Sequence, residues 1–128
     1  MPLSWRQLAS LLGPPGPMTP LVLSMTSPQA NDRRILLRAQ QALTISRVDA
    51  VLTGGTNPSV SVSLRHGADV SAAGTAATTD PIVVTSTTSG TATTSFQSPS
   101  IPAGHWLWLQ VTAASGSPAE LTVSIELQ

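Results

Sequence analysis

The sequence contains no cysteine and no lysine, and charged residues make up only 9% of its 128 residues. The absence of cysteine excludes a disulfide framework and a thiolate metal site. An ordinary soluble domain carries about 25% charged residues. We therefore expect the surface of this chain to rely on Ser and Thr hydroxyls and to be covered in part by other chains.

The positive and negative charges are equal in number: the chain has six arginines and six carboxylates, and its net charge is zero. This balance predicts no basic patch for phosphates and therefore no nucleic-acid partner. The sequence also lacks a run of about 18 apolar residues, which predicts that the chain does not cross a membrane. The length fits one domain.

The composition changes near residue 34. Residues 1–34 are rich in Pro and Leu and are interpreted as an N-terminal arm, whereas residues 35–128 have a β-strand pattern rich in Thr, Ser and Val. Ser4 and Gln7 have capping-box spacing and stand beside apolar residues at helical intervals. We predict a short helix over residues 5–12, followed by a Pro-rich linker.

The apolar side chains of the arm need a surface to cover them, because an isolated two-turn helix is marginal in water. Packing on the parent domain is one possibility. We favour contact with another protein chain, because the domain already supplies its own core. The expected inter-chain contact residues are Trp5, Leu8, Leu11, Leu12, Leu21 and Leu23.

The remainder of the chain alternates apolar and polar residues in short segments, at roughly 8–12-residue spacing, which is typical of a β-sandwich or jelly roll. Residues 59–66 and 120–127 show the clearest alternation. The sequence thus predicts an all-β fold: an antiparallel, jelly-roll-like β-sandwich with an extended arm.

Two local features refine this prediction. The alternation in residues 42–53 shifts phase near Arg47, which predicts a β-bulge. Ser89-Gly90 separates two strand-like segments, residues 82–88 and 91–98, and predicts a hairpin turn.

Residues 105–112 are apolar on both faces. Trp106 and Trp108 share one face, and the other face carries Leu107, Leu109 and Val111. Two tryptophans in this arrangement can stack on sugar rings, anchor a subunit interface or pack in a core. We favour core or interface, because the strand offers few polar groups to hold a sugar.

The sequence shows no recognisable catalytic motif: no nucleophile elbow, P-loop or dinucleotide fingerprint. Its carboxylates are scattered. His66 and His105 each end a predicted strand, and we interpret them as polar residues beside turns. We predict no catalytic residues, no cofactor and no metal site.

Two long stretches, residues 45–71 and 101–127, resemble a family of small virion-associated proteins of tailed bacteriophages. The carrying motifs are RVDAVL, a strand ending in RHG, IPAGHWLW and the closing ELTVSIEL, with TSTTSGTATTSF between them. The resemblance covers residues 43–127, carries no catalytic residues and leaves the arm outside. Such modules are associated with capsid decoration and with head or tail fibres.

The resemblance implies a non-enzymatic capsid decoration, or cement, protein on the outer capsid surface of the virion. It would stabilise the shell as a homo-oligomer, a dimer or trimer, in contact with the major capsid protein. The alternative is a head- or tail-fibre module that binds a receptor or glycan through Trp106 and Trp108.

Overall fold

The computed structural model describes residues 20–128, and every regular element in that range is a β-strand. No helix long and apolar enough to cross a membrane occurs in this part of the chain. The predicted helix over residues 5–12 lies outside the described residues. The strands, in chain order, are β1 (Leu21–Thr26), β2 (Arg33–Arg38), β3 (Leu43–Thr53), β4 (Ser59–Gly67), β5 (Thr75–Ala76), β6 (Ile82–Val84), β7 (Thr91–Thr93), β8 (Ser100–Ile101), β9 (Trp106–Ser115) and β10 (Glu120–Leu127).

These strands form two antiparallel sheets that pack together. Sheet A has the order β1-β10-β3-β7, and β8 also pairs with β3; sheet B has the order β2-β9-β4-β5, and β6 also pairs with β4. The predicted all-β sandwich is confirmed. Because most consecutive strands lie in opposite sheets, the chain repeatedly crosses from one layer to the other.

The core follows from the alternation of apolar residues along the long strands. In β10 every second residue is buried, and the intervening Glu, Thr and Ser side chains are partly exposed. Successive side chains of a strand point to opposite faces, so this pattern places one face of each sheet against the other. The core residues of β4, β9 and β10 are Val60, Val62, Leu64, Leu107, Leu109, Val111, Leu121, Val123, Ile125 and Leu127.

The sandwich begins earlier in the chain than the sequence predicted. Residues 21–34 were assigned to the arm, but β1 pairs with β10 along its whole length, and Arg33 and Arg34 already belong to β2. The reason is the alternation within β1, which buries Leu23 and Met25 against the core. Residues 21–34 therefore contribute strands to the sandwich.

The predicted hairpin at Ser89-Gly90 is wrong. β6 pairs with β4 in sheet B, whereas β7 pairs with β3 in sheet A, so the loop between them joins the two layers. The Ser86 hydroxyl accepts hydrogen bonds from the N–H groups of Thr88, Ser89 and Gly90. The backbone N–H groups of the loop thus bond to a side chain of the same loop, and not to the partner strand of a hairpin.

The bulge predicted near Arg47 is confirmed. Arg47 pairs with Glu126 and Ile45 pairs with Leu127, so Ser46 is the extra residue in β3. Its hydroxyl donates to the Glu126 carbonyl oxygen at 3.2 Å. The insertion lets Ile45 and Val48, three residues apart, both reach the core.

Candidate functional site

The two tryptophans of β9 share a face, as the sequence predicted, and this is the face of sheet B that points away from the core. Their burial differs. Trp108 is 1% exposed, although it does not belong to the core cluster between the sheets. Trp106, the first residue of β9, is partly exposed. Something in the chain therefore covers the outer face at Trp108.

The cover is the loop between β4 and β5, which we call the Trp108 cap (residues 68–74). Gly74 lies against the indole so closely that a Cβ atom there would stand 2.6 Å from Trp108 Cη2. Gly67, just before the cap, also borders the ring, with a built Cβ 3.5 Å from the same atom. At Gly74 only glycine leaves room for backbone this close to the ring, whereas the distance at Gly67 is an ordinary contact.

Two arginines of sheet B hold the cap in place. Arg33 donates from Nη1 to the Val70 carbonyl oxygen, and Arg65 donates from Nη1 to the Ala73 carbonyl oxygen at 3.0 Å. Charge-assisted hydrogen bonds of this kind are stronger than neutral ones. The cap is thus fixed from both sides of the tryptophan.

A short turn inside the cap is fixed by Asp69. Its Oδ1 accepts from the Ser71 hydroxyl at 2.7 Å and from the Ser71 N–H at 2.8 Å. These two hydrogen bonds lower the pKa of Asp69. The carboxylate of Asp69 therefore stabilises the turn. Asp32 stabilises another turn in the same way, since its Oδ2 accepts a hydrogen bond from the Gln29 N–H at 2.9 Å.

These contacts correct the view of the two tryptophans as a joint ligand face. A ring that is 1% exposed offers no face for a sugar to stack on, so Trp108 packs within the domain. Trp106 keeps part of its surface, with the guanidinium of Arg38 at 5.8 Å from its ring centroid. Arg33 lies at the same distance from the Trp108 ring. Both pairs have cation–π geometry.

The charges of the molecule are segregated between its two sheets, which the neutral sequence did not predict. The described strands of sheet B carry four arginines and no carboxylate: Arg33, Arg34, Arg38 and Arg65. Those of sheet A carry one arginine and three carboxylates: Arg47, Asp49, Glu120 and Glu126. The neutral net charge thus conceals an uneven distribution of charge between the two sheets. Three of the four arginines donate to carbonyl groups of their own chain, and the absence of a phosphate-binding patch stays a prediction.

The outer face of sheet A also carries short polar side chains, together with the exposed side chain of Val22. Arg47 donates to both carboxylate oxygens of Asp49, at 2.8 and 3.1 Å, and this pairing raises the pKa of Arg47. On the neighbouring strands Ser24 lies beside Thr122, with their hydroxyl oxygens 3.5 Å apart. The arginine neutralises one carboxylate, so the face as a whole is acidic.

The two histidines, which the sequence placed at separate strand ends, come together. Their ring centroids are 5.8 Å apart, and His66 Nε2 lies 3.3 Å from the Ser98 carbonyl oxygen. Burial lowers the pKa of His66; the Ser98 hydrogen bond opposes this shift and the neighbouring His105 adds to it. Within residues 20–128 no carboxylate joins them to make a group of three metal ligands.

The expected inter-chain contact residues divide into two groups. Trp5, Leu8, Leu11 and Leu12 lie outside the described residues. Leu23 is buried in the sandwich and Leu21 packs against the same core, so both side chains contact their own chain, and their contact with another chain stays a prediction. Their apolar surface is already used by β10 and its neighbours.

Comparison of the chain with protein-family models, curated proteins and solved structures gives no match.

Proposed function

We propose that this chain is a non-enzymatic structural protein of a tailed-bacteriophage virion, which binds in many copies to the outer capsid surface and reinforces the shell. The observation that carries the proposal is the segregation of charge on a neutral sandwich. The described strands of sheet B carry four arginines and no carboxylate, whereas those of sheet A carry one arginine and three carboxylates. This uneven distribution suits a protein that contacts unlike neighbours on its two sides.

The state of the polar groups supports the same proposal. Arg33 and Arg65 hold the Trp108 cap, while Asp69 and Asp32 hold turns. Side chains that already make these structural hydrogen bonds stabilise the loops at the surface and are poor candidates for proton transfer or nucleophilic attack. The resemblance of residues 45–71 and 101–127 to virion proteins supplies the biological setting.

The mechanism is additive. Each copy buries apolar side chains against the shell, and a fully buried Trp or Leu contributes roughly 1.5–3 kcal/mol. Four such residues in the arm, Trp5, Leu8, Leu11 and Leu12, contribute several kcal/mol before the entropy cost of ordering them. Repeated over many capsid joints, this contribution stabilises the shell against expansion.

The test uses the full chain with all four of these residues changed to alanine. The matched control changes two polar residues of the arm that are not part of the capping box, Ser10 and Thr19, to alanine. Both proteins are mixed with particles that lack the native copy, and bound protein is measured by sedimentation.

We expect the apolar variant to bind roughly a hundredfold more weakly than the control, because several kcal/mol are lost. Its circular dichroism spectrum and melting temperature should match the control, since the changed residues precede every strand of residues 20–128 in the chain. Equal occupancy of the two variants would contradict an apolar anchor in the arm.

A further inference from the structure

The outer edge of β1 differs from every other sheet edge in residues 20–128. β1 is the terminal strand of sheet A, with β10 on one side and no described strand on the other. Its six residues, Leu21–Thr26, contain no charge and no proline. A strand edge of this kind is a template for pairing with another strand.

The remaining edges carry the devices by which proteins block such pairing. β2, the neighbouring edge of sheet B, has three arginines and a bulge between Ile35 and Leu37. The far edges are formed by strands of only two or three residues: β5, β6, β7 and β8. Charge, bulges and short length all weaken an edge as a template.

The backbone groups available on the β1 edge can be identified. The Ser27 N–H donates to the Ala119 carbonyl oxygen at 2.8 Å, in register with the β1–β10 pairs. In an antiparallel ladder the hydrogen-bonded residues alternate along the strand. Residues 21, 23 and 25 therefore direct their N–H and C=O groups to β10, and Val22, Ser24 and Thr26 direct theirs outward.

We propose that two copies of this chain pair antiparallel through their β1 edges, with the two-fold axis at Ser24. Residues directly opposite each other must share a face of the sheet, which restricts the register to even steps. The Ser24-centred register pairs Val22 with Thr26 of the second copy and Leu23 with Met25 of the second copy. Side chains on the solvent-facing side of the sheet then lie opposite solvent-facing ones, and core-facing side chains lie opposite core-facing ones.

This register uses every outward backbone group of β1 and forms about six hydrogen bonds. Centring the pair on Leu23 instead sets Thr26 opposite Pro20, which has no N–H to donate. The joint also covers Val22, whose side chain is 61% exposed in the single copy. The arginines on β2 oppose a second ladder in the other layer, so the two copies join through sheet A alone.

The inference deepens the proposed function, since it names the surface through which copies of the protein join. It rests on that proposal only for its setting, because the pairing is measurable without a particle. A dimer that never binds particles would overturn the virion proposal and leave the β1 joint intact.

The test exploits the absence of cysteine from the chain. Ser24→Cys is made in the full-length protein, and the matched control is Ala92→Cys, an exposed position in β7 at the opposite edge of the same sheet. Hydrogen-bonded antiparallel partners have Cα atoms about 5.5 Å apart, a distance that a disulfide spans. Under mild oxidation Ser24→Cys should yield a covalent dimer, and Ala92→Cys should stay a monomer on non-reducing gels.

A second pair of variants measures the equilibrium by analytical ultracentrifugation. Ser24→Lys sets two ammonium groups opposite each other and should raise the dimer dissociation constant by about tenfold or more. Ala92→Lys should leave the dissociation constant unchanged, and circular dichroism should show both variants folded. A wild-type protein that remains monomeric at every concentration, or equal cross-linking at positions 24 and 92, would overturn the proposal.

Discussion

Replacing Gly74 by alanine should destabilise the folded protein by about 1–3 kcal/mol more than replacing Gly104 by alanine. Both glycines have positive φ, +70° and +88°, so alanine meets a similar backbone penalty of roughly 1–2 kcal/mol at each position. Alanine also restricts the unfolded chain equally in both variants. What differs is the space around the new methyl group.

At Gly74 the added Cβ would lie 2.6 Å from Trp108 Cη2 and 2.8 Å from the His66 carbonyl oxygen, whereas at Gly104 nothing lies within 4 Å. Backbone cannot yield as a flexible side chain does, so the cap must lift from the indole. The cost is that of overpacking, typically 1–3 kcal/mol.

Urea denaturation of the two variants, followed by tryptophan fluorescence and far-ultraviolet circular dichroism, measures the difference. The midpoint for Gly74→Ala should lie about 1 M below that for Gly104→Ala. Near-ultraviolet circular dichroism should also change in Gly74→Ala alone, because the Trp108 ring moves. Equal midpoints would refute the close packing of the cap on Trp108.

Further predictions concern the tryptophans, the histidine pair and the surface ion pair. Trp108→Ala should lower the free energy of unfolding by about 3–5 kcal/mol, and Trp106→Ala by less than half as much; similar losses in urea melts would contradict the different burial. Because the pKa of His66 is lowered on folding, the unfolded chain takes up the proton first, so the free energy of unfolding should fall as pH drops through about 6.5. His66→Gln should remove that part of the pH dependence, and an unchanged slope between about pH 7.5 and 5.5 would contradict it. Arg47→Gln should leave the melting temperature almost unchanged, because the side chains of Arg47 and Asp49 are 46% and 42% exposed and exposed ion pairs stabilise little; a clear fall in the melting temperature would refute this.

The sequence predicted the long strands because their alternation is a local property. In β10, Leu121, Val123 and Ile125 recur at period two, and burial of one face follows directly. The bulge beside Arg47 was predictable for the same reason, since a one-residue insertion leaves a visible phase shift. β1 was underestimated because its pattern is short and follows a proline-rich stretch.

Features that depend on which strands pair with each other could not be predicted from the sequence. Ser89-Gly90 has turn chemistry in any context, and nothing local tells whether the flanking strands pair with each other or with different sheets. The cap over Trp108 depends on Gly74 and on distant arginines such as Arg33, which meet only when β2 and β4 flank β9. The same holds for His66 and His105, which the β4–β9 pairing brings together.

The charge segregation illustrates the limit of composition as a guide. Net charge is a sum over the chain, and a sum of zero is compatible with an even mixture or with two opposed faces. Arg33, Arg38 and Arg65 share a face only because β9 lies between β2 and β4. A partner surface can thus be highly charged on a neutral protein.

The central claim, that the protein is a repeated component of a virion, is tested most directly by its copy number in purified particles. Quantitative gel densitometry against the major capsid protein gives the ratio. The account predicts about one copy for every one to three capsid subunits, as expected of a protein that follows the symmetry of the shell. A ratio corresponding to a few copies per particle, or absence of the protein from particles, would contradict it.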